Sequence, residues 1–277
     1  MNLMCRAGVA ALLAALALPG AHAAEAAQKV LRLGLRSAET GFDPAQINDL
    51  YSRQVTAHIF EGLFTYDHLA RPYKLKPLTA EGQPESSPDF KVWTIRIKPG
   101  IHFADDPAFG GKPRELVAAD YVYTFKRFFD PALKSPAYNG LAEDGIVGLE
   151  ALRAEALKNK QPFDYGREVE GVKALDRYTL RFTLANPRPR FVNTLADSSI
   201  FGAVAREVIE RYHDDLMAHP VGTGPYQPAA VAAYKSLAHV ERAFRSIKTM
   251  DLNVRPVFHY SKQRVRAHVF QIGRAHV

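Results

Sequence analysis

KVWTIRIKPGIHFADDPAFGGKPRELVAADYVYTFKRFFDP, residues 91–131, holds the clearest structural pattern in this chain. Apolar and polar residues alternate over 93–97, WTIRI, which predicts a half-buried strand. Pro99-Gly100 is a turn signal, and the alternation resumes over 101–103. We therefore expect a β-hairpin here.

The second half of the same stretch predicts a helix. Val122, Phe125 and Phe129 recur at helical spacing on one face. Asp130-Pro131 ends the pattern, because a residue before proline disfavours the α region. Strand, turn, loop and amphipathic helix together form a compact unit of mixed type.

Further elements follow the same reasoning on both sides of this unit. Asp43-Pro44 suits a helix start, with Pro at the first helical position. Leu149–Lys158 and Glu207–Leu216 have helical patterns. Val172–Leu184 alternates on both sides of Asp176-Arg177, which predicts a hairpin. Helices and strands alternate irregularly, so the expected fold class is mixed α/β of the α+β type.

The N-terminus has the pattern of a secretory signal peptide over residues 1–23. A basic residue, Arg6, precedes the apolar run 9–18, which is too short to span a bilayer as a mature helix. Ala21-His22-Ala23 is a cleavage site of the A-x-A kind. Cys5, the single cysteine, precedes that run. We expect a cysteine-free mature protein that is exported to the periplasm.

The positive charge of the chain is confined to its end. The formal net charge is +7, and nine of the 36 Lys and Arg but only two of the 29 Asp and Glu lie in residues 227–277. Residues 1–226 are therefore neutral overall. This division predicts two parts of different composition, a body over 24–226 and a basic tail over 227–277.

Six segments of the body have distinctive amino-acid sequences. These are, in chain order, GFDPAQ (41–46), IFEGLFTYD (59–67), WTIRIKPGIHFADDP (93–107), AADYVYTFKRFFDP (118–131), ALDRYTLRFTL (174–184) and HPVGTGPY (219–226). Together, over about residues 29–226, they resemble the N-terminal part of the family 5 solute-binding proteins. Those are the periplasmic oligopeptide- and dipeptide-binding components of ABC transporters.

This resemblance implies a two-lobed class II periplasmic-binding-protein fold whose cleft closes around a peptide or another small solute. ABC transporter permease subunits in the membrane would be its partners, and the body would need neither a cofactor nor a nucleic acid. Family members are much longer, and the resemblance ends at Tyr226. We therefore expect an incomplete fold, mostly the first lobe, in which solute binding is impaired.

The resemblance also suggests site residues. The loop 37–43 opens near the cleft in such proteins, which makes Glu39, Thr40, Phe42 and Tyr51 the candidate ligand-binding residues. Each has an alternative role, as a solvated loop residue or a core aromatic.

Gly222, Thr223 and Gly224 are candidate hinge residues on the backbone path between the lobes, where glycine would allow a positive φ. A phosphate-binding P-loop is excluded for these glycines, because no Gly-Lys-Ser/Thr follows them.

The tail has a second resemblance. Residues 234–270 are similar to the C-terminal part of DDE-type insertion-sequence transposases, and Arg242, Arg245 and Lys248 line a predicted helix as candidate DNA contacts. A solvated basic helix is the alternative. The transposase core is absent, so no transposase activity is expected.

The last six residues, IGRAHV, resemble a translated sequencing adapter. We interpret the chain as a chimeric junction, with a transposase-derived DNA-binding fragment as the alternative function.

No catalytic or metal-binding pattern accompanies these features. The chain contains neither a G-x-S-x-G nucleophile elbow nor an H-E-x-x-H motif, and its ten histidines are scattered. We therefore predict a protein that is not an enzyme, with no catalytic residues, no metal and no cofactor.

Overall fold

The computed structural model of the chain describes residues 37–225. Its helices and strands are, in order, α1 (Leu50–Ile59), β1 (Phe64–Tyr66), β2 (Leu75–Pro77), β3 (Glu85–Ser86), β4 (Val92–Arg96), α2 (Ala118–Phe129), α3 (Tyr138–Asp144), α4 (Leu149–Asn159), β5 (Val172–Ala174), β6 (Thr179–Thr183), α5 (Phe191–Thr194), α6 (Ser198–Phe201) and α7 (Arg206–Tyr212). Two short 3-10 turns cover Pro107–Phe109 and His213–Asp215. This is a mixed α+β fold, as predicted.

A four-stranded antiparallel sheet in the order β3-β4-β6-β5 forms the centre of the described residues. Trp93 lies opposite Phe182, and Ile95 lies opposite Leu180. These four side chains are buried, while their neighbours along each strand are more exposed, so the period of two does place one face in the core.

Helix α2 covers that core and confirms the prediction from the sequence. Ten of its residues are buried. The ring of Phe125 meets Phe182 of the sheet edge to face, with 4.8 Å between centroids, and stacks on Phe201 of α6. The helix ends at Phe129, and Asp130 is extended before Pro131.

The hairpin expected after Pro99-Gly100 is wrong. β4 pairs with β3 and β6 instead of the segment 101–103. That segment turns back on 114–116, with Phe103 N donating to Arg114 O at 2.9 Å and Leu116 N donating to Ile101 O at 2.8 Å. The turn is present at Gly100, whose φ is 79°, but it redirects the chain out of the sheet. The alternation detects a strand and does not identify its partner.

The other predicted elements are mostly present. β5 and β6 form the hairpin expected over 172–184, and α4 lies where a helix is predicted over 149–158. The helix expected from Glu207 is shorter and becomes a 3-10 turn at His213.

The helix predicted to start at Asp43-Pro44 starts later, at Leu50, with Asp49 as its N-cap. Asp43 instead begins a turn, in which its Oδ1 accepts from Ala45 N at 3.0 Å and its carbonyl oxygen accepts from Gln46 N and Ile47 N, and the chain does not continue from there as a helix. The signal peptide and the whole basic tail lie outside the described residues, so those predictions stay predictions.

Candidate ligand-binding site

Thr40 fastens the loop 37–43 to the N-terminus of α1. Its backbone N donates to Ser52 Oγ at 2.8 Å, and its Oγ1 donates to Asp49 Oδ2 at 2.5 Å. Asp49 in turn caps the helix, accepting from Ser52 N at 2.8 Å. The Thr40 hydroxyl is therefore occupied in holding the loop against the helix.

Asp49 is the carboxylate at the centre of this contact. Burial tends to raise its pKa, but hydrogen bonds from Ser52 and Thr40 outweigh burial and lower the pKa to about 2. The group is therefore ionised at neutral pH. A negative charge at this position also interacts favourably with the helix dipole.

The two aromatic candidates differ in exposure. Phe42 is 2% exposed and packs in a small apolar cluster with Ile59, Phe60, Tyr123 and Val204. Tyr51 and Glu39 are each partly exposed. Thr40 is exposed, so three of the four candidates, Glu39, Thr40 and Tyr51, have accessible surface and only Phe42 is buried.

A buried ion pair holds the end of the loop. Arg127 of α2 donates to both carboxylate oxygens of Asp43, at 2.7 and 2.8 Å, and both side chains are almost fully buried. Burial opposes the charge on Arg127, yet its contacts with Asp43 outweigh this and raise the arginine pKa. The loop position is therefore fixed by a paired charge inside the fold.

The candidate hinge residues pack on the C-terminal end of α1. A Cβ at Gly222 would overlap the carbonyl oxygen of Ile59, and a Cβ at Gly224 would overlap that of His58. Gly224 N also donates to Ile59 O at 2.9 Å. The predicted positive φ is wrong for both, since neither is among the positive-φ glycines. Glycine is required here because two backbones approach closely.

Thr223 lies between them, and its Oγ1 is buried without a hydrogen-bond partner among residues 37–225. The hinge role of this segment stays a prediction. The described contacts place it at the opposite end of α1 from Thr40, whereas Phe42 packs on Ile59 and Phe60, which Gly222 also approaches.

A cavity elsewhere in the described residues is a different feature, which we name the charged cleft. It has a volume of about 510 Å³ and lies between α2, residues 165–174 and α7. Its lining is rich in charge and includes Arg114, Asp120, Tyr123, Lys126, Arg206 and Glu207. The volume is within the range of small-molecule sites. By contrast, the apolar cavity beside Phe42 and Asp43 measures about 10 Å³, which is room for a single water at most.

Most charges of the charged cleft are already paired. Arg114 contacts Asp120 at 2.7 Å and Glu207 at 2.8 Å, and so joins α2 to α7. Arg206 contacts Glu210 at 2.6 Å. Burial raises the pKa of Asp120 despite the hydrogen bond from Arg114. These pairs give the wall a fixed pattern of opposite charges.

Lys126 is the exception in this wall. It is 5% exposed, and its Nζ donates to the carbonyl oxygens of Tyr165 at 3.0 Å and Arg167 at 2.7 Å. Within residues 37–225 no carboxylate lies at ion-pair distance from it. Burial therefore lowers the pKa of this lysine.

Sequence reasoning missed both the charged cleft and the Asp43–Arg127 pair. A usable signal was present, because Lys126-Arg127 interrupts the aromatic run of α2. A cation within a buried helical face needs a partner or acceptors, but the sequence does not say which carboxylate supplies them.

Within residues 37–225, no group of three or more His, Cys, Asp or Glu is arranged to hold a metal ion. No helix in that range has the length and apolar content needed to cross a bilayer.

Solved structures with similar folds are periplasmic binding proteins. The murein tripeptide binding protein MppA of Escherichia coli has a TM-score of 0.56 at 27% identity, over 70% of this chain and 34% of that chain. OppA of Haemophilus influenzae, in complex with the peptide RPPGFSPFR, has a TM-score of 0.53 at 26% identity, over 68% of this chain and 33% of that chain. The fold is thus that of part of a periplasmic binding protein.

Sequence comparison gives the family. Residues 74–242 match the family described as bacterial extracellular solute-binding proteins, family 5 Middle, and the chain belongs to this family of binding proteins, which are not enzymes. The match extends beyond Tyr226, the last residue of the body as defined above, so the boundary between body and tail stays a prediction.

Curated relatives have peptide-related names. One is the glutathione-binding protein GsiB of Escherichia coli O1:K1 / APEC, 30% identical over 222 residues, which are 80% of this chain and 36% of the relative. Another is the di/tripeptide-binding protein 2 of Pseudomonas aeruginosa (strain UCBPP-PA14), 29% identical over 217 residues, 76% of this chain and 37% of the relative. The chain spans about a third of the length of these relatives.

Proposed function

We propose that this chain is the N-terminal portion of the periplasmic solute-binding component of an ABC importer, and that its solutes are peptides or similar small molecules. The family match over residues 74–242 carries the proposal. Relatives named for glutathione and for di- and tripeptides support the solute class.

Within the described residues, the proposed ligand-contacting surface consists of Glu39 in the loop 37–43 and Tyr51 in the first turn of α1. Thr40 is exposed and fixes the loop through Asp49 and Ser52, and the buried Phe42 anchors it through the small apolar cluster. A partly exposed tyrosine suits a peptide, because its ring offers apolar area and its hydroxyl a hydrogen bond. The charged cleft is the competing location, since it has the volume for a small ligand.

Thermal unfolding of the full chain with glutathione and a panel of di- and tripeptides tests this function. A ligand that binds only the native state raises the melting temperature. We expect Tyr51→Ala to reduce the ligand-induced shift in melting temperature. Lys126→Met, in the charged cleft, should leave that shift unchanged. Leu157→Ala, at an exposed position of α4, is the control for general destabilisation.

If Lys126→Met reduces the shift and Tyr51→Ala leaves it unchanged, the binding site is the charged cleft instead. The absence of any shift across the panel would refute peptide binding by this chain.

Export and the transporter partner are further parts of the proposal. The pattern of residues 1–23 supports cleavage after Ala23 and a periplasmic location, and the family supports docking on permease subunits. Cell fractionation tests the location. Recovery of the uncleaved chain in the cytoplasm alone would contradict it.

The alternative function, a transposase-derived DNA-binding fragment, rests on the basic tail and on Arg242, Arg245 and Lys248. A salt-dependent DNA affinity that survives deletion of residues 1–226 would favour it. Absence of binding by that peptide at low salt would remove it.

A further inference from the structure

The β1–β2 hairpin carries three of the exposed large apolar side chains of the described residues. Leu69 at its tip is 92% exposed, Tyr73 is 59% exposed and Tyr66 is 38% exposed. The two tyrosine rings meet edge to face with 5.8 Å between centroids. Apolar side chains gathered on one projecting turn are a candidate contact surface.

The turn that presents Leu69 is held by a set of hydrogen bonds. Asp67 Oδ1 accepts from Leu69 N at 3.0 Å, and Asp67 O accepts from Ala70 N at 3.2 Å. Arg71 donates from Nη1 to the carbonyl oxygens of His68 and Ala70, at 3.1 and 2.8 Å. Leu69 is thus fixed in an outward position by the backbone around it.

Cations surround this apolar tip. Arg71, Lys74 and Lys76 are exposed, and none of them forms an ion pair with another described residue. Asp67 is the only acidic residue between Phe64 and Pro77. The hairpin therefore has a net positive side-chain charge next to exposed Leu and Tyr.

We propose that this hairpin is a peripheral membrane contact that binds an anionic lipid bilayer. Leu69 would enter the boundary between headgroups and acyl chains, with Tyr66 and Tyr73 at headgroup level. Arg71, Lys74 and Lys76 would contact the anionic headgroups, while their long stems cover apolar surface.

Charge complementarity and shape favour a bilayer as the occupant. The cations have no carboxylate partners among residues 37–225, and an anionic surface supplies many acceptors without a fixed geometry. Leu69 at the tip is 92% exposed, so a protein partner would need a pocket matched to a single leucine, whereas a bilayer surface accepts it directly. This contact goes beyond solute binding and does not depend on it.

Co-sedimentation of the full chain with lipid vesicles tests the proposal. We expect binding to phosphatidylcholine vesicles that contain about one third phosphatidylglycerol, and little binding to phosphatidylcholine alone. Raising the salt from ~20 mM to ~200 mM should weaken the binding, because surface charges are screened.

Variants of the hairpin and matched variants elsewhere locate the contact. Lys74→Glu/Lys76→Glu should lower the partition constant at low salt roughly thirtyfold, and Leu69→Asp about tenfold. Lys158→Glu/Lys160→Glu has the same charge change and spacing at exposed positions near the end of α4, and Leu157→Asp matches the leucine change. Both controls should stay within about twofold of the parent chain.

These controls also separate the hairpin from the basic tail, which is unchanged in all variants. Equal losses in the two lysine pairs would assign the binding to net charge and overturn the proposal. Equal binding to vesicles without phosphatidylglycerol would also overturn the proposal. A concentration-dependent dimer of the parent chain that Leu69→Asp abolishes in light scattering, without vesicle binding, would assign the surface to self-association instead.

Discussion

Helix α2 packs against two regions that are held together differently. On one side Phe125 contacts the sheet, where Trp93, Leu180 and Phe182 form an apolar core. Arg127 is two residues further along, about 200° around the helix axis, and it holds the loop 37–43 through Asp43. We call these the sheet side and the loop side.

The comparison shows which kind of packing depends on exact partners. Apolar contacts on the sheet side are non-directional, so a lost group costs its buried area and the cavity left behind. The loop side depends on one ion pair, one cap and glycines packed against α1. A buried charge whose partner is removed stays in the interior without compensation. The loop side should therefore respond to small chemical changes that the sheet side tolerates.

Phe125→Ala should have the largest effect, because it removes a fully buried ring between the sheet and α6. We expect a loss of about 4 kcal/mol in the free energy of unfolding, measured by chemical denaturation. Leu157→Ala, at an exposed position of α4, is the control and should change it by less than about 0.5 kcal/mol. Similar losses in both variants would show that this core is not the main source of stability.

Arg127→Met should be next and tests the loop side. It keeps much of the side-chain volume but leaves the buried Asp43 carboxylate without its cationic partner, so we expect a loss of about 3 kcal/mol. Asp43→Asn/Arg127→Met removes the uncompensated charge and should recover part of that loss. As a surface control, Arg167→Met breaks an exposed pair with Glu155 and should cost a few tenths of a kcal/mol. A double variant less stable than the single one would argue against charge burial as the cause.

The difference between the two sides also explains what the sequence could predict. The sequence predicts the strands of the sheet side from their period of two. Trp93 and Ile95 in one strand, and Leu180 and Phe182 in another, are apolar residues that alternate with polar ones, and all four are buried. The α2 spacing of Val122, Phe125 and Phe129 predicts the helix that covers it. These patterns depend on local geometry alone.

The loop side depends on contacts between distant residues, which periodicity does not encode. Asp43 and Arg127 are 84 positions apart, so local spacing does not predict their ion pair. In the same way, Pro99-Gly100 predicts a turn correctly, but β4 pairs with β3 and with β6, and β6 begins only at Thr179. For the candidate site, the sequence identified the loop 37–43 and missed the charged cleft, whose lining comes from three separate segments.

Gly222→Ala should have an intermediate effect on the loop side. The new Cβ would overlap the carbonyl oxygen of Ile59, which is backbone and moves only with α1. We expect a cost of about 2 kcal/mol, which is typical of an added group at a closely packed position. Hydrogen exchange should show faster exchange at Gly224 N, which bonds to Ile59 O, while the amides of β4 stay protected.

Gly82→Ala is the matched control, since nothing lies within 4 Å of a Cβ there. Unchanged protection of Gly224 in the Gly222→Ala variant would contradict the close contact that we describe.

The smallest effect concerns the cap that joins Thr40 to α1. Asp49→Ala should cost about 1 kcal/mol at neutral pH, whereas Asp49→Asn should cost less, because asparagine is also a good N-cap. The pH dependence separates the charge from the cap. The pKa of Asp49 is lowered from 3.8 to about 2 on folding, so its stabilisation is complete above the unfolded value and is lost as pH falls from about 4 towards 2. Denaturation curves of the parent chain should therefore lose stability in that window relative to Asp49→Asn, which has no titrating group at this position. If parent and variant follow parallel curves from pH 5 to pH 2, the carboxylate charge contributes nothing to the contact, and neutral hydrogen bonds alone hold the loop on α1.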